Sequence, residues 1–162
     1  MAARSILVGL GNPILSDDVI GLIVAGEVHK RLPGFDLELS SSNGLDIVDR
    51  ILDHDFAAII DSMVTGKYCP GKVLRLDLQR SMPTLRASDV HGVGLSEAIE
   101  LARACGAAVP RRIVVYGIEV VDPRSVGDLV SAAVSERIGA IVEEIVRDLP
   151  VVSGRRQARE EG

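Results

Sequence analysis

The chain has few aromatic residues and little basic charge. Aromatics make up 2% of its 162 residues, and tryptophan is absent. Proteins that bind single-stranded nucleic acid rely on aromatic side chains for base stacking, so this composition argues against that role. The formal net charge is -5, whereas a protein that follows a phosphate backbone carries a basic face. We therefore predict that no nucleic acid is a partner.

Long apolar runs and a cysteine framework are also lacking. No apolar run approaches the roughly 20 residues that a membrane-spanning helix needs, and the N-terminus shows no signal-peptide pattern. Cys69 and Cys105 form no motif, which is typical of reduced thiols in the cytosol. Cys105 is expected to be buried on an apolar helix face. These features predict a cytoplasmic protein with no membrane insertion.

What the chain does contain suits one globular domain. Hydrophobic residues make up 47%, and Val, Ile, Leu and Ala predominate. A chain of this length buries enough surface to fold without disulfides or metals. We predict a single α/β domain over 1–150 and a charged, disordered tail over 151–162, and we favour a monomer.

Apolar runs and helical periodicities alternate along the sequence. Strands are predicted at 5–10, 36–40, 56–60, 72–78 and 112–118. Helices are predicted at 19–32, 45–52, 95–105 and 127–149. This order indicates an α/β three-layer sandwich, with a mostly parallel sheet and helices on both faces. The short turn at 66–71 allows one strand to be antiparallel.

Three polar residues are predicted at the carboxyl ends of the strands, where open α/β sheets bind ligands. Asp18 closes the loop that follows the first strand, Asp61 follows the apolar run 56–60, and His91 stands between glycines ahead of a helix. The first loop is not a dinucleotide fingerprint, because Ile14 occupies the position of the third glycine.

Two carboxylates and an imidazole form a plausible site for a divalent transition metal. The residue types alone do not choose among nickel, zinc and copper. A structural interpretation is also open: Ser16 would cap the first helix, and Asp17 and Asp18 would interact with its positive end. Asp61 could likewise only cap the loop that follows it.

Four segments, in order, resemble hydrogenase maturation endopeptidases. They are 6–21 (ILVGLGNPILSDDVIG), 59–62 (IIDS), 88–95 (SDVHGVGL) and 115–119 (VYGIE). The resemblance implies a twisted five-stranded sheet between helices. It also implies that Asp18, Asp61 and His91 match the three metal-contacting positions of the family.

The resemblance further implies the reaction. Members of the family remove a C-terminal peptide from the precursor of the nickel–iron hydrogenase large subunit after nickel insertion. Nickel would then be a recognition element that the precursor supplies, and not a metal that the protease retains. The expected activity is metal-dependent amide hydrolysis by Asp18, Asp61 and His91.

Two departures and three alternatives accompany this interpretation. Asp18 stands where some members have Glu, and 120–123 reads VVDP where many members place proline directly after the acid.

One alternative is a docking or chaperone protein that binds the nickel-loaded precursor without cutting it. Another is peptidyl-tRNA hydrolase, which shares the GLGNP opening but needs an early histidine and a basic surface. A generic nucleotide-binding domain is disfavoured by the first loop.

Overall fold

The computed structural model describes residues 4–42, 45–78, 95–127 and 129–150. The strands are β1 Ser5–Leu10, β2 Asp36–Ser40, β3 Phe56–Met63, β4 Val73–Asp77 and β5 Arg112–Glu119. The helices are α1 Ile20–Arg31, α2 Leu45–Ile51, α3 Leu95–Ala104, α4 Ala132–Ser135 and α5 Ile138–Asp148. The predicted tail 151–162 lies outside the described residues.

The five strands form one sheet in the order β2-β1-β3-β5-β4. The first three pairings are parallel, and β4 runs antiparallel to β5 at one edge. The predicted fold class is confirmed, and β4 is the antiparallel strand that the short turn at 66–71 allowed. From β1 the chain moves to one side to form β2, then returns to form β3 on the other side. The gap between β1 and β3 is thus a switch point of the topology.

Alternate residues of each strand pack into two separate cores. Leu7, Ala58 and Ile60 join the layer that contains α1 and α5. Val8 and Ile59 join the layer that contains α2 and α3. Each buried Leu, Ile or Val contributes roughly 1.5–3 kcal/mol relative to an exposed one. Burial on both faces explains why the strands read as continuous apolar runs.

Helix α1 lies unusually close to the sheet because Gly21 has no side chain. A Cβ at this position would lie 2.1 Å from the Leu10 carbonyl oxygen and 2.6 Å from that of Ile60. Leu10 and Ile60 are near the carboxyl ends of β1 and β3. The start of α1 is therefore held against the switch point.

Two predictions about the elements are wrong. The predicted helix 127–149 begins at Ala132, because the residue before it is bonded to the segment that precedes α1. A turn at 136–137 divides the helix into α4 and α5. Cys105 is exposed and not buried, since α3 ends one residue earlier. In the part of the chain that the structure describes, no helix is long and apolar enough to cross a membrane.

Candidate functional site

Asp18 and Asp61 are linked at the carboxyl edge of the sheet through Ser62. The Ser62 hydroxyl donates to Asp18 Oδ1 over 2.7 Å, and the Ser62 backbone N–H donates to Asp61 Oδ1 over 2.8 Å. The exposed fraction is 2% for Asp18, 0% for Asp61 and 2% for Ser62. The predicted grouping of these two acids near one strand end is consistent with this geometry.

Asp61 lies within β3 and not after it. The strand continues to Met63, because Asp61, Ser62 and Met63 pair in register with residues of β5. The apolar run that signals the strand ends at Ile60, so the sequence pattern alone places the boundary too early. The two polar residues extend the strand into the carboxyl edge, and this extension places Ser62 beside Asp18.

Asp18 also borders a surface cleft. It belongs to a 3₁₀ turn, Asp17–Val19, directly before α1, and its Oδ2 accepts the backbone N–H of Asn12 over 2.8 Å. The cleft has a volume of about 100 Å³. Its lining consists of Leu10, Gly11, Asn12, Leu15, Asp18, Ser41 and Ser42. The Asn12 N–H and the Ser62 hydroxyl thus hold this acid at the wall of an open cleft.

Asp17, the neighbour of Asp18, anchors a loop. It is fully buried, and its Oδ2 accepts the backbone N–H groups of Val121 and Asp122 over 3.0 and 2.9 Å. Ser131 donates its N–H to Oδ1 over 2.6 Å and its hydroxyl to Oδ2 over 2.9 Å. These four bonds hold the segment 121–131 against the turn that carries Asp18.

The cap interpretation of Ser16 is wrong. Its hydroxyl donates to the Leu129 carbonyl over 2.7 Å, and no side-chain cap bond is made to the turn. Ser16 therefore joins Asp17 in fixing the 121–131 loop. No local pattern in the sequence signals this role, because the partners of both residues lie more than a hundred positions along the chain.

Glu119 anchors a second loop, the one that follows β3. It is buried at the end of β5, and its Oε1 accepts the N–H groups of Thr65 and Gly66, each over 2.9 Å. Its Oε2 accepts the Thr65 hydroxyl over 2.9 Å. Glu119 therefore fixes the segment that follows β3. In the sequence, Glu119 is the last residue of the segment 115–119, and no local pattern indicates that it anchors a loop.

His91, the third predicted site residue, lies outside the described residues. Among residues 4–42, 45–78, 95–127 and 129–150, no group of three His, Cys, Asp or Glu side chains is placed to hold a metal ion. The predicted set needs His91, so its assembly stays a prediction. Asp18 and Asp61 supply buried carboxylate oxygens, a donor type that divalent cations accept.

Comparison with known proteins gives consistent results for sequence and fold. No protein-family model matches the chain. Hydrogenase 2 maturation protease of Escherichia coli strain K12 is 23% identical over 159 residues, which cover 91% of this chain and 96% of that protein. The hydrogenase expression/formation protein HupD of Rhizobium leguminosarum bv. viciae is 26% identical over 166 residues, covering 99% and 81%.

The solved structure of the hydrogenase maturating endopeptidase HybD from E. coli superimposes with a TM-score of 0.67. It is 19% identical, and the match covers 89% of this chain and 90% of that one. The predicted resemblance to hydrogenase maturation endopeptidases is confirmed. Of the two relatives, the first is a maturation protease by name and the second is an expression/formation protein. In this chain, Asp18, Asp61 and Ser62 lie at the carboxyl edge of a sheet that shares the fold of the HybD structure.

Proposed function

We propose that the chain is an endopeptidase that removes the C-terminal extension of a nickel–iron hydrogenase large-subunit precursor after nickel insertion. The observation that carries the proposal is the pair of buried acids, Asp18 and Asp61, linked through Ser62 at the switch point of a maturation-protease fold. Burying carboxylates is costly unless they are paired, hydrogen-bonded or bound to a metal. Their placement at the ligand-binding edge of the sheet supports a binding role.

In this proposal, nickel belongs to the substrate. It would supply a positive charge that oxygen and nitrogen ligands recognise. Asp18 and Asp61 would approach it together with His91, and they would hold the precursor so that its scissile segment lies near the site. Positioning of this kind supplies a large share of the rate in well-oriented reactions.

Exposed aliphatic side chains beside the cleft support a peptide substrate. Ile14, Val126 and Leu129 are 61%, 81% and 80% exposed. They lie on the loop before α1 and on the 121–131 segment, which pair through a β-bridge between Leu15 and Val126. Leu15 also lines the cleft. Exposed apolar groups that cluster on a surface are typical of interaction sites.

The first test is the intact mass of a hydrogenase large-subunit precursor after incubation with the protein. We expect loss of one discrete C-terminal peptide from nickel-loaded precursor, and no loss from nickel-free precursor. Cleavage of both samples would support the protease activity and show that cleavage does not require nickel. Binding of the cognate precursor without any cleavage would replace the proposal with a docking protein.

Substitution of the site residues tests the same proposal. Asp61→Ala and His91→Ala are expected to abolish processing while circular dichroism shows a folded protein, because both remove a group that contacts the nickel-loaded substrate. Asp18→Asn should act in the same direction. Asp46→Asn is the control, since this exposed acid lies on α2 and should leave processing unchanged. Full processing by both Asp61→Ala and His91→Ala would refute the assignment.

A further inference from the structure

Ser62 contacts both acids of the candidate site through two different donor groups. Its hydroxyl donates to Asp18 and its backbone N–H donates to Asp61, over 2.7 and 2.8 Å. The backbone donor is present with any residue except proline at position 62. The hydroxyl donor depends on the side chain, so only the bond to Asp18 is a property of this serine.

The alternation of β3 gives that hydroxyl its position. Side chains point to opposite faces of a strand in turn, so Ser62 shares a face with Ala58 and Ile60, which pack in the α1 layer. Asp18 lies in the 3₁₀ turn that precedes α1, and its bond from the Ser62 hydroxyl places it on this same face. Asp61 belongs to the opposite face. Ser62 is therefore the strand residue whose side chain meets Asp18 as α1 packs on the sheet.

The Asp18 carboxylate is held at both oxygens. The Asn12 backbone N–H bonds to Oδ2 over 2.8 Å, and the Ser62 hydroxyl bonds to Oδ1 over 2.7 Å. Two donors on opposite oxygens prevent the carboxylate from rotating about its bond to Cβ. A metal ligand whose orientation is fixed in this way binds more tightly than one that is free to rotate.

We propose that Ser62 is a positioning residue that orients the Asp18 carboxylate toward a divalent metal ion. This inference rests on the proposed function, since it takes Asp18 as a ligand of nickel. Ser62 does not itself contact the metal or the substrate peptide. It acts through Asp18, and its hydroxyl should tune the metal affinity of the site.

The test measures Ni²⁺ binding to the full chain by isothermal titration calorimetry. Ser62→Ala is expected to weaken Ni²⁺ binding by roughly 10–100-fold, the range found when a hydrogen-bond partner of a metal ligand is removed. Ser62→Thr keeps the hydroxyl and should stay close to wild type. Asp18→Asn provides the reference for loss of the ligand itself.

Ser5→Ala controls for the loss of a buried hydroxyl. Ser5 is also a buried strand serine, but it lies at the opposite end of the sheet, where β1 begins. It should leave Ni²⁺ affinity unchanged. Urea unfolding of each variant shows whether the protein is folded under the conditions of the titration.

Four results would overturn the inference, and the fourth would also remove the proposed function. If Ser62→Ala binds Ni²⁺ with wild-type affinity while Asp18→Asn loses Ni²⁺ binding, Ser62 is not a positioning residue and the proposed function stands. Equal loss in Ser62→Ala and Ser62→Thr would exclude a role of the hydroxyl. A wild-type protein that processes the precursor but binds no Ni²⁺ alone would also exclude the inference and retain the function. Absence of processing by wild type would instead remove the function, and the inference with it.

Discussion

Buried carboxylates near the carboxyl edge of the sheet have two different sets of partners. Asp17 and Glu119 accept bonds from loop backbones and hydroxyls, and these bonds fix the segments around the cleft. Asp18 and Asp61 are joined to each other through Ser62. The first two acids therefore fix the loops around the cleft, and the second two are the acids that the proposed function uses.

Asp17→Asn should destabilise the protein strongly. An amide replaces one carboxylate oxygen with a donor, which leaves N–H or hydroxyl groups of Val121, Asp122 or Ser131 without an acceptor. We expect the free energy of unfolding to fall by ~3 kcal/mol, since bonds to a charged group contribute about 1.5–3 kcal/mol each and are not additive. Urea denaturation at pH 7 measures this change.

Asp46→Asn is the matched control for Asp17→Asn. Asp46 is exposed on α2, and surface substitutions of this kind change stability by no more than about 0.5 kcal/mol. A change of that small size in Asp17→Asn would show that the four hydrogen bonds do not anchor the loop. The sequence could identify an acidic pair at 17–18, but it could not assign the two roles, because the deciding partners are distant in the chain.

At the scale of elements, the start of α1 controls where Asp18 stands. Gly21 permits the helix to approach the ends of β1 and β3, and the 3₁₀ turn before it carries Asp18. Helix α1 is otherwise an ordinary amphipathic element that covers one face of the sheet with Ile20, Val24 and Val28. Its sequence pattern predicted the helix, but not how closely the helix packs against the ends of β1 and β3.

Gly21→Ala should destabilise the protein, while Gly26→Ala on the same helix should stabilise it. The added Cβ of Gly21→Ala meets two carbonyl oxygens and must displace α1, and overpacking of this kind costs about 1–3 kcal/mol. A Cβ at Gly26 meets nothing within 4 Å, so Ala should gain about 0.5–1 kcal/mol from helix propensity.

Thermal or urea unfolding of the two glycine variants measures this difference. Gly21→Ala should also reduce processing more than its stability loss explains, because the displaced helix moves Asp18. Equal stability of the two variants would show that α1 adapts without cost. The comparison is sharp because both substitutions make the same chemical change on one helix.

Most strands and helices could be predicted from periodicity, and the largest error in their bounds has a physical cause. The bounds of β1 and β2 agree with the predicted ranges, since apolar runs and turn residues define them. The start of α4 does not agree, because residues 121–131 are held by Asp17. Long-range hydrogen bonds override local pattern at the points where loops meet the site.

On the scale of the whole molecule, a polar contact ties the sheet to its last helix. The Tyr116 hydroxyl on β5 donates to Asp148 at the end of α5 over 2.6 Å. Arg75 on β4 pairs with the same carboxylate over 2.7 Å. Burial raises the pKa of Tyr116, and the bond to Asp148 and its charge raise it further, although Arg75 opposes the shift. This contact joins three elements at the antiparallel edge.

Tyr116→Phe should lower the free energy of unfolding by about 1 kcal/mol at pH 7, because one hydrogen bond is lost. A pKa that is raised in the folded state stabilises the protein fully below the unfolded value of 10.0, and this contribution is lost as pH rises through the folded value. The difference in the free energy of unfolding between wild type and Tyr116→Phe should therefore become smaller in strong alkali. Urea unfolding at pH 7 and above pH 10 measures it, and a constant difference would contradict the assignment.

The order β2-β1-β3-β5-β4 also has a consequence for folding. Ser5 at the start of β1 pairs with Phe56 at the start of β3, and the chain between them must first close a long loop. Closing such a loop costs entropy before its contacts form, so this central pairing is slow compared with local helix formation. Asp18 lies within that loop, near its start, and Asp61 follows its end. A chain that has not yet joined β1 to β3 therefore has two separate acids and no candidate site. The appearance of the proposed processing activity during refolding would report the time at which the centre of the sheet forms.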